Sequence, residues 1–282
     1  MDGKTVLVTG ASSGIGKATA AGLAARGARV VMVSRTRERG EKARAEILAA
    51  TPSANLDLLL ADLSTNAAIR TLADEVRARY PRLDVLINNA GLITSRRKVT
   101  RDGIEMQFAV NHLAYFHLTG LLLDLLRAST PARVICVSSS SQSSGVLDFD
   151  DLQMQRNYRG WQMYANTKLM NVMFTYALAA RLEGTGVTAN CLHPGVIHTN
   201  LLNNFSSVLQ LAWHALGRWF KQPEDGAETP VYLASSPDVA EASGGYYRYC
   251  RSMGTVEHSY DREAQRRLWE ESERLTGFKY PF

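Results

Sequence analysis

A doubly wound, mostly parallel α/β sheet of about seven strands with helices on both faces is the fold class that this sequence predicts, and three observations predict it. Strand-like and helix-like segments alternate through the first two thirds of the chain. The strands are unbroken apolar runs, such as Val85-Leu-Ile87 and Val134-Ile-Cys-Val137, as expected where helices cover both faces of a parallel sheet. The first strand leads directly into a glycine-rich turn and then an alanine-rich helix.

Lys4-Thr-Val-Leu-Val-Thr9 is that first strand, and Gly10-Ala-Ser12-Ser13-Gly14-Ile15-Gly16 opens a helix that runs to about Arg26. Gly10 permits a tight turn, Gly14 lets backbone approach a pyrophosphate, and Gly16 allows close helix packing. The helix amino terminus offers its unpaired N–H groups to the anion. A second strand over 28–33 ends in Ser34-Arg35-Thr36. Sheets that hold NAD usually carry a carboxylate there for the ribose hydroxyls; here none is present, and Arg35 can fork onto a 2′-phosphate beside the Ser34 hydroxyl. NADP(H) is therefore expected over NAD(H), the competing reading being that Arg35, like Arg37 and Arg39, only solvates the next helix.

Further strands are expected over 56–61, 83–88, 132–138 and 187–192, and further helices over 37–50, 65–79, 101–127 and 161–183. Beyond them come an apolar segment over 201–220, a helix opening near Pro223-Glu224, a last strand near 246–249 and a charged helix over 260–275. Ligands bind beyond the carboxyl ends of parallel strands, so the turns after the strands should converge on one crevice. The whole chain reads as a single dinucleotide-binding oxidoreductase domain, with 195–222 as a substrate-binding lid and 223–282 completing the sheet and adding the terminal helix. For 201–220 a plain core helix and a membrane-surface helix are rival readings.

Tyr164-Ala-Asn-Thr-Lys168 supplies the chemistry. Four apart on a helix, the two side chains share a face, and an ammonium beside a phenol stabilises the phenolate, which makes a general acid/base. Alone, the pair could equally be an aromatic at the core boundary beside a snorkelling lysine.

Composition bounds the remaining classes. The chain has 282 residues, 45% of them hydrophobic, enough for one full core, and no linker or repeat divides it. Its net charge of +5 is spread among interspersed acids with no basic stripe, so no nucleic-acid partner is expected. Cys136, Cys191 and Cys250 form no metal-spaced pair and the six histidines no ligand motif, so no metal is expected. No apolar run is long enough to span a bilayer, and the first strand starts too early to leave room for a leader; a cytoplasmic location is the expectation.

Taken in order, Thr9-Gly10-Ala-Ser-Ser-Gly14-Ile-Gly16, Asp62-Leu63, Asn88-Asn89-Ala90-Gly91, Asn111, the serines at 138–141, Tyr164-x-x-x-Lys168 and Pro194-Gly195 resemble the short-chain dehydrogenase/reductase family over essentially the whole chain. Asp150-Asp-Leu-Gln153, His193-Pro-Gly-Val196, Gly244-Gly-Tyr-Tyr247 and Leu268-Trp269 resemble its retinol-dehydrogenase-like branch. The resemblance implies Tyr164 as acid/base, Lys168 on the nicotinamide ribose, a serine steadying the substrate oxygen and Asn111 holding a relay water. Of the four serines Ser139 is chosen, as the second after the strand. Cofactor contacts follow at Gly10, Ser12, Ser13, Gly14, Ile15, Gly16, Ser34, Arg35, Asp62, Leu63, Asn89, Ala90, Gly91, Pro194, Gly195, Val196 and Thr199, with Asp62 on the adenine or, alternatively, capping a helix. The implied activity interconverts a hydrophobic aldehyde or ketone with its alcohol, as in a carbonyl reductase. The rival is a dinucleotide-sensing or scaffolding protein on the same fold, and a homo-oligomer is compatible with either.

Overall fold

The computed structural model describes residues 1–195 and 222–282. Strands β1 (Thr5–Thr9), β2 (Arg29–Ser34), β3 (Asn55–Leu60), β4 (Val85–Asn88), β5 (Ala132–Val137), β6 (Val187–Leu192), β7 (Tyr246–Arg248) and β8 (Arg251–Met253) form one sheet in the order β3-β2-β1-β4-β5-β6-β7-β8. The order reverses at β1, which lies between β2 and β4, and that reversal opens the crevice. All pairs are parallel except β7–β8.

The sheet has eight strands where about seven were expected. The extra one, β8, closes a hairpin through Tyr249 and Cys250, both at positive φ (51° and 58°). A two-residue turn of that kind normally announces itself by Asn-Gly or Asp-Gly, and these side chains hide it.

Helices α1 (Gly14–Ala24), α2 (Arg37–Ala50) and α7 (Pro223–Ser235) cover one face, over a core that includes Val8, Leu23, Val30, Met32, Ile47 and Val231. Helices α3 (Asn66–Arg79), α4 (Ala114–Leu121), α5 (Leu123–Ala128) and α6 (Gly160–Arg181) cover the other, over Leu7, Leu72, Leu86, Tyr115, Phe116 and Phe174. Helix α8 (Arg262–Thr276) packs outside α6, burying Leu268, Trp269 and Ser272.

The single helix expected over 101–127 is divided. Thr100 folds a turn through Gly103 at φ 77°, its hydroxyl accepting from the Asp102 and Ile104 amides. The buried Glu105 carboxylate then accepts from the Phe108 amide, a widened π-helical turn spans Phe108–Leu113, and α4 and α5 part at Leu122. A run of buried apolar residues has no periodic mark that separates such a chain from one long helix. No helix among the described residues is long and apolar enough to cross a membrane. The apolar segment 201–220, and all of the lid expected over 195–222 except its two end residues, lie outside the described residues.

Candidate active site

The carboxyl ends of β1, β4, β5 and β6 meet as the fold requires. Gly10 leaves β1 at φ 66°, where a side chain would be strained, and a Cβ there would fall 2.9 Å from Ala90 Cα. Gly16 lies so close to this turn that a Cβ would sit 2.4 Å from both the Gly10 oxygen and Asn89 Nδ2. The Thr9 hydroxyl accepts from the Asn89 and Ala90 amides at 2.8 and 3.0 Å, while Asn89 Nδ2 donates to the Thr9 carbonyl at 2.8 Å. Thr9 thus locks the β4 loop to the glycine turn, a role that its place inside an apolar strand did not advertise.

Ser12, Ser13, Gly14 and Ile15 are partly exposed at the start of α1. Ser13 occupies the N-cap without a side-chain capping bond, and the first turn has no acid. The helix therefore presents its amide donors outward with neither a cap nor a carboxylate competing for them, as an anion requires. At the end of β2 the Ser34 hydroxyl donates to the Thr36 carbonyl, and the exposed Arg35 makes no ion pair among the described residues. Asp62 Oδ1 accepts from the Ser64 amide beside buried Leu63. The cap of α3 is Thr65, whose hydroxyl accepts from Ala68, so the alternative capping role expected of Asp62 belongs to its neighbour.

Helix α6 brings Tyr164 and Lys168 to the same crevice, 7% and 3% exposed. Ser138, Ser139, Ser140 and Ser141 diverge. Ser138 turns inward and donates to the Lys168 carbonyl at 2.7 Å, whereas Ser139 reaches the Tyr164 phenol and accepts from the Ser141 amide at the start of a short 3-10 turn, Ser140–Ser144. A Cβ on Gly91 would lie 3.7 Å from Lys168 Nζ, so the β4 loop faces the lysine directly. Pro194 and Gly195 follow the end of β6 and are buried, with Gly195 at φ 96°. Val196 and Thr199 lie outside the described residues.

The electrostatics differ from the expectation. Lys168 Nζ donates to the Val137 carbonyl at 2.9 Å and stands 5.5 Å from the centroid of the Tyr164 ring. Burial pushes the Lys168 pKa down to about 8. It pushes that of Tyr164 up to about 12, against the Ser139 hydrogen bond, which acts in the opposite direction. Desolvation thus outweighs the Ser139 hydrogen bond in setting the phenol's proton affinity.

Asn111 is fully buried in the widened turn. Its carboxamide accepts from the Leu92 amide at 2.8 Å and donates to the Leu92 carbonyl at 2.9 Å and to the Thr167 hydroxyl at 3.1 Å. Both side-chain N–H groups are thereby engaged with protein, and the side chain ties the β4 loop to α6. Trp161, one turn before Tyr164, was not singled out by sequence reasoning. It is 54% exposed with its ring edge-on to the phenol ring at 6.4 Å, apolar surface beside the reactive group. Among the described residues no group of three His, Cys, Asp or Glu could hold a metal ion.

Comparison with known proteins agrees with this geometry. The short chain dehydrogenase family matches residues 4–209. Retinol dehydrogenase 14 of Homo sapiens is 43% identical over 98% of this chain and 87% of its own length, and retinol dehydrogenase 13 of Homo sapiens is 42% identical over 99% and 86%. Among solved structures, an uncharacterised protein from Mycobacterium Paratuberculosis superposes with a TM-score of 0.81 at 32% identity, over 100% of this chain and 96% of that one. A short chain dehydrogenase from Burkholderia cenocepacia J2315 in complex with NADP gives 0.68 at 26% identity, over 87% and 95%. The glycine turn, the Tyr–Lys helix and these relatives together establish that the chain belongs to the short chain dehydrogenase family and is an oxidoreductase.

Proposed function

We propose that the protein is an NADP(H)-dependent carbonyl reductase that interconverts bulky apolar aldehydes or ketones with their alcohols, with Tyr164 as the acid/base. The observation that carries this reading is the buried Tyr164 phenol, hydrogen-bonded to Ser139 and set beside Lys168. A carbonyl oxygen gaining negative charge needs a proton donor within reach, and the phenol hydrogen-bonded to Ser139 is placed to be one. NADPH, when bound, supplies the hydride.

The residues present fit that cofactor. The glycine turn leaves a cradle that side chains at Gly10 and Gly16 would fill, the start of α1 offers uncompeted amide donors, and Arg35, without an ion pair among the described residues, stands where a 2′-phosphate would lie. Ser12, Ser13, Gly14 and Ile15 would meet the pyrophosphate, Asp62 and Leu63 the adenine, and Asn89, Ala90 and Gly91 the nearer ribose. Lys168 would hold the nicotinamide ribose through its ammonium. Ser139 orients the carbonyl oxygen toward the phenol, and Asn111 fixes the β4 loop across from it. The Trp161 ring supports an apolar substrate, the class to which the named substrate of the relatives belongs.

Steady-state turnover of NADPH against a panel of short and bulky aldehydes tests the reading. Bulky apolar aldehydes should give the higher kcat/KM. Tight NADPH binding with no turnover of any carbonyl would instead favour the sensing role.

A further inference from the structure

The widened turn Phe108–Leu113 places two consecutive buried polar residues side by side, Asn111 and His112, and only Asn111 has been given a purpose. His112 faces away from the crevice. Its Nε2 lies 3.0 Å from Ser272 Oγ on α8, and its Nδ1 lies 3.4 Å from Asn171 Oδ1 on α6. The ring stacks on Phe108 at 5.6 Å and meets the edge of Phe174 at 6.2 Å. His112 and both polar partners are fully buried, and burial holds the imidazole neutral, its pKa lowered to about 4. A neutral ring donates from one nitrogen and accepts at the other, so it can serve both partners at once. Asn171 Nδ2 has no partner among the described residues, so its amide can meet either tautomer.

A π-helical turn inserts a residue at a cost in backbone geometry and persists where its surroundings over-determine it. Here the surroundings include two helices, α6 and α8, that one imidazole joins to the turn. On the other side of the same turn Asn111 holds Leu92 and the Thr167 hydroxyl, which donates to the Tyr164 carbonyl at 2.8 Å. A continuous set of hydrogen bonds therefore runs from α8 through His112 and the turn to the helix that bears Tyr164, and Asn171 lies one turn beyond Lys168 on that helix.

We propose that His112 is a positioning residue: through Ser272 and Asn171 it sets the widened turn, so that the carboxyl-terminal helix holds Asn111, and with it the β4 loop, in register with Tyr164. The kinetic part rests on the carbonyl-reductase reading above; the structural part does not.

Ser272→Ala removes the Nε2 partner with the loss of one oxygen, and His112→Phe keeps the stacked ring while removing both bonds. Each should raise the hydrogen-exchange rate of the amides over 108–113 in the cofactor-free protein while leaving exchange in β1 and β2 unchanged. Each should also lower kcat about five- to tenfold, the scale of one neutral hydrogen bond, with the dissociation constant for NADPH unchanged and a larger solvent isotope effect on kcat. The double variant should lose little more than His112→Phe alone, because that substitution already removes the bond that Ser272→Ala deletes. Unchanged exchange over 108–113 in both variants would overturn the proposal. So would a loss of kcat that merely tracks the unfolded fraction, or equal losses that add in the double variant. If the parent fails to reduce any carbonyl, or Tyr164→Phe leaves its rate intact, the enzymatic reading falls, and the exchange data still decide whether His112 sets the turn.

Discussion

The two ends of the crevice are built by opposite means. At the β1 end the structure removes side chains: Gly10 and Gly16 leave a backbone cradle that the Thr9 hydroxyl braces from below. At the α6 end it buries side chains that ordinarily stay in water, a lysine, a phenol and an asparagine, and braces them from behind with α8. The difference teaches where each end is vulnerable. A backbone cradle fails by steric intrusion and is otherwise insensitive to chemistry, whereas a buried polar cluster fails when one proton, charge or hydrogen bond is lost.

The largest test of that contrast is Tyr164→Phe, which deletes one oxygen and leaves the ring. Turnover should fall by about 10²–10⁴-fold, the span of a general acid's contribution, while NADPH binding by fluorescence titration stays within a small factor of the parent. A variant retaining most of its rate at saturating substrate would move the proton donor elsewhere and remove the asymmetry between the two ends.

A smaller effect is expected where the cradle meets the cofactor's 2′-phosphate. Arg35 is exposed and makes no ion pair among the described residues, so its contribution is a charge-assisted contact of about 1.5–3 kcal/mol, or one to two orders of magnitude in affinity. Ser34→Asp with Arg35→Ala should shift the ratio of kcat/KM for NADPH over NADH toward NADH by that amount. An unchanged ratio, or a parent that already prefers NADH, would show that the cradle does not read the phosphate through Arg35.

The buried end should also respond to pH where the cradle does not. Burial lowers the Lys168 pKa to about 8, so its ammonium is fully present below that value and is lost as pH rises through it. kcat/KM for NADPH, which reports the free enzyme, should be level below pH 8 and fall above it, the charged fraction dropping about tenfold for each further pH unit. Lys168→Arg keeps its charge at every accessible pH and should flatten the decline at a lower plateau. A decline of the same midpoint in that variant would assign the ionisation to another group.

The same division explains what could be read from the sequence. Gly10, Gly14 and Gly16 after an apolar strand, and Tyr164 and Lys168 four apart, are local patterns whose spacing carries their geometry, and the alternation of apolar strands and helices carries the sheet. What escaped depends on partners distant in the chain or on turns without a residue signature. His112 meets Ser272 across 160 residues, and nothing near either marks the contact. The widened turn has the same apolar composition as a regular helix, and β8 follows a turn of Tyr249 and Cys250. Ser139 could be chosen over its neighbours only by resemblance; the structure separates them because Ser138 points to Lys168 and Ser139 to Tyr164. The sequence also places a stabilising cation beside the phenol, but the burial of both groups, which raises the Tyr164 pKa and lowers that of Lys168, is visible only in the structure.

The smallest expected effect asks how far the bracing from behind extends. After α8 the chain turns at Gly277 and lays Phe278, Tyr280 and Phe282 against the Phe116–Trp269 cluster, with Tyr280 stacked edge-on to Phe116 at 4.9 Å. The buried Tyr280 hydroxyl donates to the Phe116 carbonyl at 2.7 Å. That bond fastens the tail to α4 one turn beyond His112 but touches neither the imidazole nor the widened turn. Tyr280→Phe keeps the ring in its cluster and loses one neutral hydrogen bond, about 1 kcal/mol, which for a domain of this size lowers the thermal midpoint by about 2–4 °C. Because the lost bond is not part of the chain of contacts reaching Asn111, kcat and its solvent isotope effect should stay at parent values well below the melting range. If Tyr280→Phe instead lowered kcat as strongly as Ser272→Ala, support for the site would be a diffuse property of the whole aromatic cluster, and the distinction between His112 as a positioning residue and the tail as a stabilising one would fail.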